Sequence, residues 1–241
     1  MNRNDKVIIF VDGNYVYKSL KEEKNLEFIA AELVKLLEGA YSKLEGNNDL
    51  RRIYYYNTYP PLESDKSRKE SVDKLIWQIE NKAKLSLAEV QKEIGIMFSK
   101  HITKQEVLKK FNLTEEEFIA QEMFYNSSQQ MKFYEKLQYG GWKVILKKLK
   151  KDKEGKYHQK GIDIYIASDM LSLAFEDGYD TAMLVSGDAD FIEIVNKIQE
   201  RGKLVYLSCF EHGKSWDLQK SCDGYINLDS IIGSILKERK K

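Results

Sequence analysis

The sequence predicts an α/β fold of three layers, a mainly parallel, Rossmann-like sheet flanked by helices and carrying a helical insertion. Three observations lead there. Short apolar runs alternate with helix-patterned segments through short joins. The first run, "DKVIIFVDG" at 5–13, reads as a buried strand closed by a turn signal. Residues 62–135 are helical in pattern throughout, longer than a single crossover needs.

After the first strand, Leu33, Leu36, Leu37, Ala40 and Tyr41 share one face of a helix. "RIYYYNTY" at 52–59 is a second strand, ended by Pro60 and Pro61, the two prolines of the chain. In the helical stretch, Leu75, Ile79 and Lys82 lie along one face and Val107, Leu108 and Phe111 along another. Thr114 and Glu117 have the spacing of a capping box. The chain is read as one domain over 1–241, with 84–130 as the insertion.

"GGWKVILKKL" returns to a strand, and "GIDIYIASDMLSLAFEDG" is a helix stopping at Gly178. "DTAMLVSG" is a strand, "DADFIEIVNKIQERG" a helix and "KLVYLSCF" a strand. A short helical piece at Trp216–Lys220, the strand "GYINL" and a helix from about Asp229 complete the chain. The crossovers should be right-handed.

Composition narrows the class. Of 241 residues, 42% are hydrophobic and 32% charged, which fits a globular chain. Apolar runs stay far below the roughly 20 residues of a bilayer span, and "MNRNDK" has no signal-like apolar segment, so no membrane partner and a cytoplasmic location are expected. Cys209 and Cys222 lack partners at zinc-finger spacing and are expected to stay reduced. Net charge is +1, which gives no overall preference for nucleic acid.

The acids carry the functional signal. Asp12 ends the first apolar run, Asp188 lies two residues beyond "AMLVS", and Asp190 opens the next helix. In an open parallel sheet such ends gather near a topological switch point. If the two strands are neighbours, these carboxylates converge. Asp163 starts the helix of 162–177 and leads the row Ala167, Met170 and Ala174; Asp169 flanks Ile166 and Leu173. Asp12, Asp163, Asp188 and Asp190 are also well suited to cap a helix or form a turn, and Asp169 to be a plain solvated residue. Carboxylates crowded together repel, and a hard dication relieves the conflict. Oxygen donors without Cys and with few His suit Mg²⁺ or Mn²⁺. Such an ion suits hydrolysis of a phosphodiester.

A basic stretch precedes Asp163. "KKLKKDKEGKYHQK" at 147–160 holds seven lysines. Lys147, Lys150, Lys156 and Lys160 are candidate phosphate contacts, and Tyr157 and His158 candidates to stack on a base of a single strand. A solvated hairpin loop is the plainer alternative.

"IIFVDGNYVY", "KGIDIYIASDML" and "VSGDADF" followed by "VNKIQERGKLVYL" resemble the motifs of NYN domains, the branch of PIN-like nucleases that includes LabA-like bacterial proteins. The resemblance covers 7–20 and about 140–230. It implies a PIN-like sheet and a ribonuclease using Mg²⁺ or Mn²⁺. Carried over, Asp12, Asp163 and Asp188 would be the main metal ligands and catalytic acids, and Asp190 a fourth. Asn14 would neighbour the metal or phosphate. Asp169 and Ser186 would stand behind the ligands. The insertion departs from the compact family pattern and could cap a groove or form a homodimer surface. An RNA-binding module with the same fold and little catalysis is the alternative. An aspartyl phosphatase is disfavoured, because Asn14 stands where its second Asp belongs.

Overall fold

The computed structural model describes residues 4–22, 24, 26, 28–83, 87–100, 103–154 and 157–238. In chain order the elements are β1 Asp5–Asp12, α1 Gly13–Tyr17, a π-helical turn Lys18–Glu22, α2 Ala30–Tyr41 and β2 Asn48–Thr58. Then come α3 Pro61–Ser64, α4 Lys66–Ala83, α5 Leu87–Lys100, α6 Lys104–Phe111 and α7 Glu115–Tyr139. β3 Lys143–Lys147, β4 Lys150–Lys151, β5 Tyr157–His158 and α8 Ile162–Phe175 are next. The last part is β6 Thr181–Val185, a 3₁₀ turn Ala189–Phe191, α9 Ile192–Gln199, β7 Leu204–Cys209, α10 Trp216–Ser221, β8 Gly224–Asn227 and α11 Leu228–Glu238.

The described residues form two compact units. The first lies within 1–58, 134–147 and 160–241, and the second within 59–133 and 148–159.

The first unit is built on a six-stranded sheet of order β3-β2-β1-β6-β7-β8, with every neighbouring pair parallel. Strands buried on both faces need apolar residues at successive positions, and Val7 through Val11 are all buried. One sheet face carries Ile8, Phe10, Tyr54, Tyr56, Ala182, Leu184, Val205 and Leu207; it packs against Ile166 and Met170 of α8 and Val195 and Ile198 of α9. Side chains of the other parity, among them Val7, Ile9, Val11 and Met183, are equally buried. The apolar stripes of α2 (Leu33, Leu36, Leu37, Ala40) and α11 (Ile231, Ile232, Ile235) belong to the third layer, and these two helices pack together.

The order reverses at β1. Strands β2 and β3 are added on one side and β6, β7 and β8 on the other, so the switch point lies between β1 and β6. Their register pairs Val11 with Val185. Asp12 and the Ser186–Gly187–Asp188 turn therefore leave the sheet side by side.

The second unit has helices and a short hairpin. Val90, Ile94, Val107, Phe111 and Phe118 of α5, α6 and α7 make one core, and Leu62, Val72, Ile76 and Ala120 another. The Thr114–Glu117 capping box is present, as is a second one at Thr103 and Glu106. β4 and β5 pair antiparallel, Lys150 with His158 and Lys151 with Tyr157.

Candidate functional site

Asp12 is the last residue of β1 and the N-cap of α1. Its Oδ1 accepts hydrogen bonds from the backbone N–H of Asn14 (3.0 Å) and Tyr15 (3.1 Å). Capping thus occupies one oxygen. The other, Oδ2, lies 3.5 Å from the Ser186 hydroxyl across the switch point. Asp12 is only 8% exposed. Burial, more than the neighbouring charges of Asp163 and Asp188, pushes its pKa up to about 6.

Two glycines allow the two turns to approach. A Cβ on Gly13 would lie 2.4 Å from the Tyr55 ring and 2.7 Å from the Tyr56 carbonyl oxygen. A Cβ on Gly187 would lie 2.1 Å from the Gly213 carbonyl oxygen. The Gly187 carbonyl in turn accepts a hydrogen bond from Ser215 N (3.2 Å). Any larger residue at either position would force the backbone apart and move the acid beside it.

Asp188 caps the 3₁₀ turn. Its Oδ1 accepts from Asp190 N (3.0 Å), and its own N–H donates to the Ser186 hydroxyl (3.3 Å). Ser186 is fully buried and so bridges Asp12 to the Asp188 turn. Asp188 and Asp190 are exposed.

Asp163 lies in the first turn of α8. The fully buried row of that helix is Ile162, Ile166, Met170 and Ala174. Asp163 therefore does not head the row, as its spacing from Met170 and Ala174 suggests, but stands one position to the side and is itself exposed. At 100° per residue, a row leaning by one position still buries Met170 and Ala174. Partial burial of its carboxyl group, then the charges of Asp188 and Asp190, raises its pKa. The charges of Asp163 and Asp188 thus bear on Asp12, and those of Asp188 and Asp190 on Asp163, at the carboxyl edge of the sheet. Among the described residues, however, no three His, Cys, Asp or Glu side chains are grouped closely enough to hold one ion.

The remaining sequence candidates divide. Asn14 is half-buried in the first turn of α1. Asp169 accepts a hydrogen bond from the Tyr56 hydroxyl (2.8 Å), which ties it to sheet packing. Lys147 lies at the end of β3, where its Nζ donates to the Gly161 carbonyl (3.4 Å) and stands 4.5 Å from the Tyr165 ring centroid. Lys160 is exposed in the same unit. Lys150 and Tyr157 belong to the second unit. There the Tyr157 hydroxyl donates to Asp65, and its ring faces Arg68 and Lys151. Lys156 lies outside the described residues.

Tyr15 escaped the sequence reading. Its hydroxyl accepts from Phe210 N (2.9 Å), so it anchors the loop after β7 beside Asp12's turn. Its one trace in the sequence is an aromatic residue right after "DGN".

One solved structure shares the fold, and one curated protein is similar over part of the sequence. The structure is similar to that of a protein of unknown function from Vibrio parahaemolyticus, with a TM-score of 0.55 and 18% identity over 96% of this chain and 97% of that one. At that identity the likeness shows the fold alone. In sequence, the chain is 34% identical over 91 residues to an uncharacterized protein of Methanocaldococcus jannaschii. That match covers 38% of each chain. No helix among the described residues is long and apolar enough to cross a membrane. The NYN domain model matches residues 94–229, taking in Asp163, Ser186, Asp188 and Asp190 and leaving Asp12 before its start. By that match, which spans more than half of its length, the chain belongs to the NYN domain family of the PIN-like nuclease superfamily.

Proposed function

We propose that the protein is a metal-dependent ribonuclease whose reaction centre is the acidic crevice at the β1–β6 switch point. The observation that carries this is the Oδ2 of Asp12, which takes no part in capping α1, meets only the long Ser186 contact of 3.5 Å across the switch point, and stands within reach of the charges of Asp163 and Asp188. A nuclease family and an oxygen-only donor set support the same reading.

The donor set fits a hydrated ion. Mg²⁺ commonly keeps several waters and takes one or two carboxylates directly, so the loose spacing of these acids suits it better than a closed cage would. Asp12, Asp163, Asp188 and Asp190 are the proposed holders of Mg²⁺ or Mn²⁺. When bound, the ion supplies a water nucleophile at neutral pH and offsets charge on the phosphate.

The residues themselves do the positioning. Asp12 is locked through Oδ1 by two backbone N–H groups, so its Oδ2 direction is fixed before substrate arrives. Ser186 holds the Asp188 turn against β1. Asn14 offers an amide beside the phosphate. Lys147 and Lys160 would offset the repulsion between the acidic crevice and an RNA backbone. A cytoplasmic location belongs to the same reading, and the partner is RNA in single-stranded form.

One observation favours a second reading, an RNA-binding module without catalysis: the acids of the described residues do not already form a tight three-ligand group. One experiment separates the two. Labelled single-stranded RNA is incubated with Mn²⁺ or Mg²⁺, with and without chelator, for the wild type, Asp12→Asn and Asp188→Asn. Cleavage by the wild type alone, and only without chelator, is expected. Binding without cleavage by the wild type selects the module. Cleavage that survives in both variants or in chelator removes the metal mechanism.

A further inference from the structure

We propose that Trp216 and Tyr165, each backed by a lysine, are stacking platforms that hold the bases of a single strand across the carboxyl edge of the sheet. The inference rests on the nucleic-acid reading of the crevice and names the residues that select a single strand over a duplex. Trp216 is 64% exposed, although it is among the largest apolar side chains of the molecule. Its position is nonetheless fixed. Ser215, just before it, caps α10 and donates its backbone N–H to the Gly187 carbonyl, one residue from Asp188. The indole therefore stands at the rim of the acidic crevice.

The lysine behind it is unusually well anchored. The Lys214 side chain is only 4% exposed, forms an ion pair with Glu211 at 2.7 Å, and stands 4.0 Å from the Trp216 ring centroid. Glu211 is itself held by Tyr225 and Asn227 (both 2.9 Å). An ammonium over an aromatic ring is a favourable pairing. It covers part of the indole from beneath, and the exposed remainder is available to a base.

Tyr165 repeats the pattern on the other side. It is 45% exposed, and Lys147 stands 4.5 Å from its ring centroid. Lys147 ends β3, while Lys214 comes after β7. Four strand spacings separate those strands, roughly 19 Å at about 4.8 Å each, and between them Asp12 ends β1 and Asp188 follows β6. Aromatic faces beside cations are what an unpaired strand requires, since stacking needs a free base face and Lys147 can meet a phosphate, while Lys214, paired with Glu211, holds the indole in place. A duplex hides its base faces.

The test is binding in chelator, where no cleavage occurs. Fluorescence anisotropy would follow a labelled oligouridylate of about twelve nucleotides, and a matched RNA duplex. Trp216→Ala should weaken single-strand binding about 5- to 100-fold, Trp216→Phe should restore most of it, and Trp216→Leu, apolar but without an aromatic face, should not. Tyr165→Leu should act in the same direction. Duplex binding should not change, and neither should the salt slope of single-strand binding, because no charge is removed. Replacing single uridines by abasic sites should find a position where the loss is large for the wild type and absent for Trp216→Ala.

Binding by Trp216→Leu equal to the wild type overturns the proposal, as does equal loss on duplex and single strand. Failure of the wild type to bind the oligouridylate at low salt also overturns it. A wild type that binds but does not cut would end the nuclease reading and leave the platforms standing.

Discussion

The Ser186 hydroxyl lies 3.5 Å from Asp12 Oδ2, although 174 residues separate the two in sequence. The contact exists because β1 and β6 are parallel neighbours whose ends finish level. It sets a residue that selects nothing by itself at the centre of the crevice. Ser186→Ala removes the acceptor of Asp188 N–H as well as the contact to Asp12. The expected cost is about 1 kcal/mol in urea denaturation, with about a tenfold loss of cleavage rate, typical for a group that orients a ligand. An unchanged rate would show that Ser186 only fills space.

Asp12 should cost the fold stability at neutral pH. Its pKa is raised to about 6 by burial, against a usual 3.8. The folded state therefore binds the proton more tightly than the unfolded chain, and stability falls as pH rises from about 4 through 6. The shift corresponds to at most about 3 kcal/mol. Asp12→Asn keeps an oxygen to cap α1 and removes the buried charge. The variant should be about 1–3 kcal/mol more stable than the wild type at pH 8 without metal, and no more stable at pH 4. Urea curves at the two pH values decide it. A variant less stable at pH 8 would mean that the carboxylate is held by partners stronger than the backbone caps.

Asp163 and Asp169 lie on one helix and should behave oppositely. Asp169 accepts from the Tyr56 hydroxyl, and an asparagine can accept the same bond. Asp169→Asn should leave cleavage within a few-fold, while Tyr56→Phe costs about 1 kcal/mol of stability. Asp163 has charged neighbours in Asp188 and Asp190, so Asp163→Asn should lower cleavage by about a hundredfold or more with little loss of stability. Parallel kinetic and denaturation measurements on the three variants check this. A large catalytic loss in Asp169→Asn would move that residue into the reaction centre.

Much of this arrangement can be read from the sequence because parallel strands buried on both faces are unbroken apolar runs. Val7–Val11 and Ala182–Val185 stop abruptly, so the polar residues directly after each run must lie at the carboxyl edge. Other features have no linear signature. Whether Asp12 caps or faces the crevice depends on two oxygens of one group, and it does both. The Asp163 row leans by one position because Ile162, not Asp163, fills the sheet contact. The turns at 13–22 are too short and polar for periodicity to show. Tyr56 meets Asp169 across 113 residues, a pairing that only the sheet order creates. The helical periodicity of 62–135 is plain, but a period does not say which helices share a core, so the two clusters around Val107 and Val72 emerge only in three dimensions.

Gly187 is the steric hinge of the crevice. A methyl group there would meet the Gly213 carbonyl at 2.1 Å, an obstacle made of backbone rather than of a side chain that can rotate away. Gly187→Ala should destabilise the protein by about 2–4 kcal/mol and lower cleavage further than its unfolded fraction explains, because Asp188 moves with the turn. Gly233, which has nothing within 4 Å of its added methyl, is the control: Gly233→Ala lies in α11 and should be neutral or stabilising. Equal effects at the two positions would contradict the packing of the 187 turn.

Metal should stabilise the fold through the same acids. At a hundred times its dissociation constant, a ligand of the folded state adds about 2.7 kcal/mol, so Mn²⁺ should raise the unfolding midpoint of the wild type and chelator should reverse it. The ion competes with the proton on Asp12, whose pKa is about 6. The gain should therefore be full near pH 8 and fade as pH falls through 6. In Asp12→Asn the gain should shrink at every pH, even though that variant is the more stable without metal. The two effects have opposite signs in one substitution, so a general change in stability cannot imitate them. A Mn²⁺ effect of the same size in wild type and Asp12→Asn would place the ion elsewhere and leave the buried carboxylate without a partner.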